Sequence, residues 1–266
     1  MDVRDFNRTA WNSQVKQGNT WTIPVSPQQV ADARAGGPEI LLTPTKFVPA
    51  AWFPPLTDAR VLCLASGGGQ QGPLLAAAGA VVTVYDNSPA QLARDRDVAE
   101  REGLAIEIIE GDMRDLGVFS DERFDLIVHP VSNVFVPDIQ PVWNECYRVL
   151  NTGGRLLSGF DNPIVHLFDE AAYERGELIA QNRLPYSDLD SLSPDEIESR
   201  RQSGRPLEFG HTLEQQIGGQ IAAGFSITGF YEDRYPASAN DPLADYSDLF
   251  IATAAVKRPL GPAPRH

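Results

Sequence analysis

The sequence predicts an α/β protein built on a mostly parallel sheet with helices on both faces. Three observations lead there. From Arg60 onward, short apolar runs alternate with helical stretches of about ten residues, the pattern of successive βαβ units. Runs such as Val61–Ala65 and Val81–Tyr85 lack polar alternation, as strands do when helices cover both faces of their sheet. The helical stretches are punctuated by capping residues: Ser88-Pro89 at a start, Gly79 and Gly103 at ends.

Residues 1–58 read as a separate N-terminal cap. A short amphipathic helix over Phe6–Val15 is followed by Trp21, Pro24, Pro27, Pro38, Pro44, Pro49, Pro54 and Pro55, which break the chain repeatedly. Three of the four tryptophans, Trp11, Trp21 and Trp52, lie here, so the segment is expected to wrap onto the main domain, residues 59–258. Strand one, Val61–Ala65, runs into Ser66-Gly67-Gly68-Gly69 and a helix over Gln71–Ala78. Strand two, Val81–Tyr85, ends at Asp86, and its helix runs to Glu102. Ile106–Ile109 is strand three, ending in Glu110-Gly111-Asp112, and Phe124–Val128 is strand four, ending at His129-Pro130. A helix over Asp138–Leu150 and a Gly153-Gly154 turn lead to strand five, Arg155–Phe160. Residues 161–211 are charged and weakly periodic and read as an insertion after strand five, expected with the N-terminal cap to form a lid over the substrate crevice, with Leu184-Pro185-Tyr186 and Leu207-Glu208-Phe209 as short strands. Thr212 caps a helix over Leu213–Ala223 that Gly224 stops, before the last strands, Phe225–Tyr231 and Leu249–Val256. Residues 259–266 read as a disordered tail.

Composition narrows the function. The chain has 266 residues, 42% hydrophobic and 22% charged, enough for one large domain. Lys plus Arg total 22 against 36 Asp plus Glu, a net charge of −14, with no basic cluster; no nucleic acid and no anionic membrane is expected as a partner. Cys63 and Cys146 stand apart, without a C-x-x-C or Cys/His cluster, so neither a disulfide framework nor a metal site is expected. The polar start lacks the apolar stretch of a signal peptide, and no window approaches the ~20 apolar residues of a membrane span, so the expectation is a cytoplasmic protein. No coiled-coil pattern speaks to the oligomeric state.

The strand–glycine turn–helix–strand–acid unit carries the chemistry. Ligands bind at the carboxyl ends of parallel strands. Glycines let the backbone approach a ligand, and a helix amino terminus offers N–H groups. Gly67, Gly68 and Gly69 supply the turn, and Asp86 is an acid able to accept from both hydroxyls of a ribose. Gly67-x-Gly69-x-x-Gly72 also matches the dinucleotide fingerprint. A second acid, Asp112, ends strand three with Met113 beside it, placed to meet an adenine amino group and ring, which a dinucleotide enzyme does not specifically need.

VLCLASGGGQQ, VTVYDNSP, IIEGDMRDL, FDLIVHPVSN and YRVLNTGGRLL, in this order, resemble the successive motifs of class I S-adenosylmethionine-dependent methyltransferases over residues 60–160. The resemblance implies a Rossmann-like, seven-stranded, mostly parallel sheet whose last strand is antiparallel, and S-adenosylmethionine as the cofactor. It implies that Ser66, Gly67, Gly68 and Gly69 cradle the methionine end, with Gln70 and Gln71 at the carboxylate. Asp86 would hold the ribose with Asn87 adjacent, Asp112 and Met113 the adenine, and His129 and Pro130 would lie beside the sulfonium. Two positions depart from the family: Cys63 stands where the first motif has an acid, and Ala65 replaces its first glycine. The acid organises the loop, so its loss leaves that end of the site to other residues.

For the acceptor, His129 on the rim is the candidate base or orienting group, against a structural hydrogen-bonding role. His211 at the end of the insertion is a second candidate. Trp21, Tyr186 and Tyr235 are candidate aromatic walls, and Ser132 and Asn133 follow His129-Pro130 into the same crevice. The acidic composition and aromatic flanking segments favour a small-molecule acceptor. His129-Pro130-Val131-Ser132 lacks the Asn/Asp-Pro-Pro-aromatic signature of many nucleic acid base methyltransferases. Two further readings stand beside this one: an NAD-dependent oxidoreductase using the same glycine loop, though without a Tyr-x-x-x-Lys pair, and a non-catalytic protein that binds S-adenosylmethionine.

Overall fold

Strand β1 (Arg60–Leu64) shows why the sheet must be covered twice. Val61 and Cys63 point to one face, Leu62 and Leu64 to the other, and all four are fully buried. The computed structural model describes residues 1–258. In it β2 (Val81–Asp86), β3 (Ile106–Glu110), β4 (Phe124–His129) and β5 (Leu150–Asp161) join β1 in parallel. With β6 (Phe225–Asp233) and β7 (Phe250–Lys257) they form a seven-stranded sheet of order β3-β2-β1-β4-β5-β7-β6. The final strand, β7, lies between β5 and β6, antiparallel to both.

On one face Val61, Cys63, Val82, Val84 and Val128 pack against Leu75 of α3 (Gln71–Ala77) and Leu92 and Val98 of α4 (Pro89–Glu102), after the cap helices α1 (Val3–Gln17) and α2 (Pro27–Gly36). On the other face Leu62, Leu64, Ile127 and Leu156 pack against Val142, Trp143 and Cys146 of α5 (Gln140–Val149). Both cysteines are buried and unpaired, and burial pushes both thiols up, so they act as small core hydrophobes.

The N-terminal segment is more than a cover. Val25, Val30, Ala33, Ile40, Leu42 and Val48 belong to the first core, so residues 25–48 complete one face of the sheet. Gly159 of β5 makes this possible, since a Cβ there would stand 2.3 Å from the Leu42 carbonyl oxygen.

The insertion holds three short helices: α6 (Glu170–Glu174), α7 (Asp188–Ser191) and α8 (Pro194–Ser203). The two strands expected there do not form as strands, but their backbones do pair. Tyr186 and Gly210 exchange N–H···O bonds of 2.8 and 3.0 Å, and Asp188 donates to Glu208 at 3.0 Å. The ladder is too short to extend into a sheet. The helix expected over Leu213–Ala223 is interrupted by a π turn at Glu214–Gly218 before α9 (Gly219–Ala223). Trp143 accounts for it: its indole N–H donates to the Gln215 carbonyl at 3.1 Å, and a Cβ on Gly219 would sit 2.7 Å from its ring. Thr212 caps this segment reciprocally with Gln215, as expected.

Cap and insertion are tied together. The Asn7 amide donates to the carbonyls of Phe135 and Leu207, and the Leu207 N–H donates to the Asn7 oxygen. No helix among the described residues is long and apolar enough to cross a membrane, and none of their His, Cys, Asp and Glu side chains cluster as a metal site would. The expected tail, residues 259–266, lies outside the described residues.

Candidate active site

The carboxyl ends of β1, β2, β4 and β5, together with the loop after β3, open into one cavity of about 1290 Å³, roofed by the N-terminal segment and the insertion. Ser66 and Gly67 after β1, Asp86 and Asn87 after β2, and Asp112 and Met113 after β3 line one part of it. Asp86 is joined to the glycine turn: its carboxylate accepts from the Gly67 N–H at 2.9 Å and the Ser88 N–H at 2.8 Å. Burial raises its pKa, and these N–H donors offset part of the rise. Gly68 and Gly69 have φ of +120° and +72° and lie under the cap rather than in the cavity. A Cβ on Gly68 would stand 3.0 Å from the Trp21 carbonyl oxygen.

Gln70 and Gln71 line the cavity with their amide donors engaged. Gln70 donates to the Thr20 and Ile23 carbonyls, and Gln71 to that of Leu41. Both glutamines stitch the loop to the cap. Asp112 is gripped by Arg114, whose guanidinium reaches it at 2.6 Å. Burial opposes that charge, and the arginine outweighs burial to lower the Asp112 pKa.

The acceptor-side expectations need correction. His129 is fully buried and off the cavity wall. Its Nδ1 lies 2.9 Å from the Leu64 carbonyl oxygen and its Nε2 2.6 Å from the Asn133 carboxamide. Both ring nitrogens thus face acceptor oxygens, Nδ1 the Leu64 carbonyl and Nε2 the Asn133 Oδ1, while burial lowers the His129 pKa against these two bonds. Asn133 is also fully buried and lies against Gln216 at 2.8 Å. His211 donates from Nε2 to the Asn133 and Val136 carbonyls, both at 3.0 Å. These three residues hold the loop after β4 from behind. Tyr186 is likewise off the wall, whereas Trp21, Pro130, Ser132 and Tyr235 line it.

Beyond β5 the cavity wall carries Asp161, His166 and Glu208, together with Tyr173, Arg205 and Asp241. Asp161 ends β5. His166 follows in the next turn, its Nε2 on the Asp161 carboxylate and its ring stacked on Tyr186 with centroids 5.5 Å apart. Burial disfavours charge on His166, but Asp161, with Glu208 and Asp188, outweighs it and raises the pKa.

A family model described as a methyltransferase domain matches residues 62–158. The chain is 51% identical over 251 residues to an uncharacterized methyltransferase, YbaJ, of Bacillus subtilis, covering 94% of this chain and 97% of that protein. The chain belongs to the class I S-adenosylmethionine-dependent methyltransferases. Solved structures carry the same fold. A methyltransferase of this dependence from Mesorhizobium loti aligns with TM-score 0.59 at 20% identity, covering 77% of this chain and 94% of that one. One from Listeria monocytogenes aligns with TM-score 0.60 at 14% identity, covering 79% and 94%.

The donor set suits this methyltransferase's cofactor, S-adenosylmethionine. Gly67 of the glycine turn, a carboxylate for a diol, and a second carboxylate beside a thioether all face one space. The residue that makes up for Cys63 is Asp95, which the sequence reading missed. It is fully buried on α4 and accepts the Gly68 N–H at 3.0 Å, so it organises the loop from below. Its signal was an acid on the apolar stripe of Leu92 and Val98. Burial pushes its carboxyl up to about 7, against the N–H bonds of Gly68 and Gly69. A folded pKa above the unfolded one means that the native state binds more protons between the two. Stability is therefore greatest below the unfolded value and falls as pH rises toward 7. Asp95→Asn removes that loss. Calorimetric melts at pH 5 and pH 8 are expected to show a smaller pH-dependent difference in the variant, by on the order of 1–3 kcal/mol. An identical difference in both proteins would assign the pH dependence to other groups.

Proposed function

We propose that this cytoplasmic enzyme transfers the methyl group of S-adenosylmethionine to a small-molecule acceptor held between the sheet rim, the N-terminal segment and the insertion. The continuity of one cavity carries the reading. It runs from Ser66, Asp86 and Asp112, the cofactor side, to Asp161, His166 and Tyr235, a wall with no counterpart in the cofactor motifs. When bound, the cofactor supplies a methyl carbon already activated by its sulfonium. The protein's residues bind, orient and exclude water, and proximity of that kind supplies much of the acceleration. Asp86 accepts from the ribose hydroxyls with Asn87 beside it, Asp112 takes the adenine amino group, and Met113 packs on the ring. The Ser66–Gly69 loop with Gln70 and Gln71 borders the methionine end, and Pro130 borders the methyl group. His129, Asn133 and His211 fix the loop that carries Pro130 and Ser132.

The net charge of −14 and the roofed cavity support a small acceptor over a nucleic acid. Because residues 25–48 are core, the cap cannot be deleted as a test of this reading. Calorimetric titration with S-adenosylmethionine and with NAD, then incubation of a metabolite extract with methyl-labelled cofactor and mass spectrometry of the products, tests it. Binding of the first cofactor alone and a labelled small molecule are the expected results. NAD binding without S-adenosylmethionine binding would restore the oxidoreductase, and binding without any labelled product would make this a sensor of the cofactor.

A further inference from the structure

The inner wall contains a proton-accepting device that the cofactor motifs do not explain. Asp161, at the end of β5, is buried, and one carboxylate oxygen takes the Nε2–H of His166 while the other has no hydrogen-bond partner. Tyr186 stacks on one face of the imidazole at an interplanar angle of 13°. Gly210 closes the Cδ2–Cγ edge, where a Cβ would stand 2.6 Å from the ring. The ring is thus held in one tautomer and one orientation. Nδ1 has no hydrogen-bond partner among the described residues, and the ring lines the cavity. Val165, Tyr173, Tyr235 and Phe250 line the same region and give it an apolar, aromatic side opposite the charged groups.

We infer that His166, oriented by Asp161, is the general base for a neutral, largely apolar acceptor bearing a hydroxyl group. The inference rests on the methyltransferase reading above and extends it to the acceptor atom. A hydroxyl gives up its proton as its oxygen is methylated, so it needs a base, and a neutral imidazole nitrogen accepts the O–H hydrogen bond beforehand. In the transfer, the acceptor oxygen bonds to the methyl carbon as the carbon–sulfur bond breaks and leaves its electron pair on sulfur. The hydroxyl proton passes to His166 Nδ1, and Asp161 stabilises the imidazolium until solvent takes the proton. Asp161 and Glu208 beside the imidazole disfavour an anion there, and Arg205, which also lines the cavity, is paired with Glu170, so the hydroxyl arrives protonated and loses its proton in place.

The charged and titratable groups around the imidazole are Asp161 from β5, Tyr186 and Asp188 from the insertion, Glu208 and His211 from the segment that pairs with it, and Arg200 of α8 through Asp188. With carboxylates predominating, the base form is reached at a pH above that of a free imidazole.

The test uses the full chain with His166→Gln and Asp161→Asn. Titration with S-adenosylmethionine is expected to give wild-type affinity in both; failure of the wild type itself to bind would sink the methyltransferase reading, and not this one alone. Nitrogen-15 NMR of the imidazoles is expected to show phenol, used as the probe, shifting the His166 Nδ1 resonance in the wild type. The His166 pKa should fall in Asp161→Asn. In labelled extracts the products should be methyl ethers, with kcat in His166→Gln reduced about 100-fold or more and its rise with pH abolished. Asp161→Asn, which keeps the imidazole, should lower kcat less and move the pH profile toward acid. Should His166→Gln fail to fold, Asp161→Asn and the NMR titration decide. A phenol-insensitive Nδ1, products methylated only on nitrogen, or an unchanged pH profile in a folded variant would overturn the assignment.

Discussion

Replacing Asp86 with alanine is expected to weaken S-adenosylmethionine binding about 100-fold, close to 2.8 kcal/mol by the affinity scale. The carboxylate accepts from the Gly67 N–H at 2.9 Å and the Ser88 N–H at 2.8 Å. A diol would add charge-assisted hydrogen bonds worth roughly 1.5–3 kcal/mol each before competing costs. Alanine removes those bonds and also frees the glycine turn. Asparagine retains one acceptor oxygen and should fall between the two. Because burial raises the Asp86 pKa, protonation removes the acceptor at a higher pH than for an ordinary carboxylate. Cofactor affinity should therefore fall on the acid side earlier than for an exposed acid. Isothermal titration calorimetry measures both effects, with melting of the ligand-free variant as the control for folding. An affinity within about threefold of wild type, roughly 0.7 kcal/mol, would remove Asp86 from the cofactor site.

Trp143→Ala is expected to cost about 3–5 kcal/mol of folding stability, the range for deleting a large buried aromatic side chain. Trp143 is fully buried on α5, its ring edge-on to His129 with centroids 6.1 Å apart. Its loss empties the second core, leaves the Gln215 carbonyl without its 3.1 Å donor, and removes the support of the π turn before α9. His129 and the loop that carries Pro130 then lose their backing. For a domain of this size the melting temperature should drop by roughly 6–20 °C. Urea denaturation and calorimetry check this. A loss below about 1 kcal/mol would mean that α5 and α9 collapse onto the gap.

Much of the framework was legible because its causes are local. A strand covered on both faces reads as a near-continuous apolar run, as Val61–Leu64 of β1 and Leu126–Val128 of β4 do. Parallel strands bring their carboxyl ends to one rim, so Asp86 and Asp112 could be placed near the glycine turn from order alone. Direction was harder to read. His129 stands at the rim, yet it shares the parity of Ile127, which packs in the core beneath α5, and side chains two apart on a strand share a face. That parity was available in the sequence, and it sends His129 into the protein and away from the ligand.

What the sequence by itself determined is the order of elements, the parallel sheet, the glycine turn and the two acids of the cofactor side. Only the tertiary structure decided which polar groups complete the site. Asp95 reaches Gly68 across 27 residues, Asn7 reaches Leu207 across 200, and Glu208 comes to the wall beside Asp161 and His166 by way of the insertion. The proline-broken segment at 25–48 became core because Gly159 leaves room for its backbone against β5. The physical reason is the range of the forces involved. Periodicity and capping act within a few residues of the chain. Burial and hydrogen-bond pairing depend on whichever distant backbone the fold brings alongside.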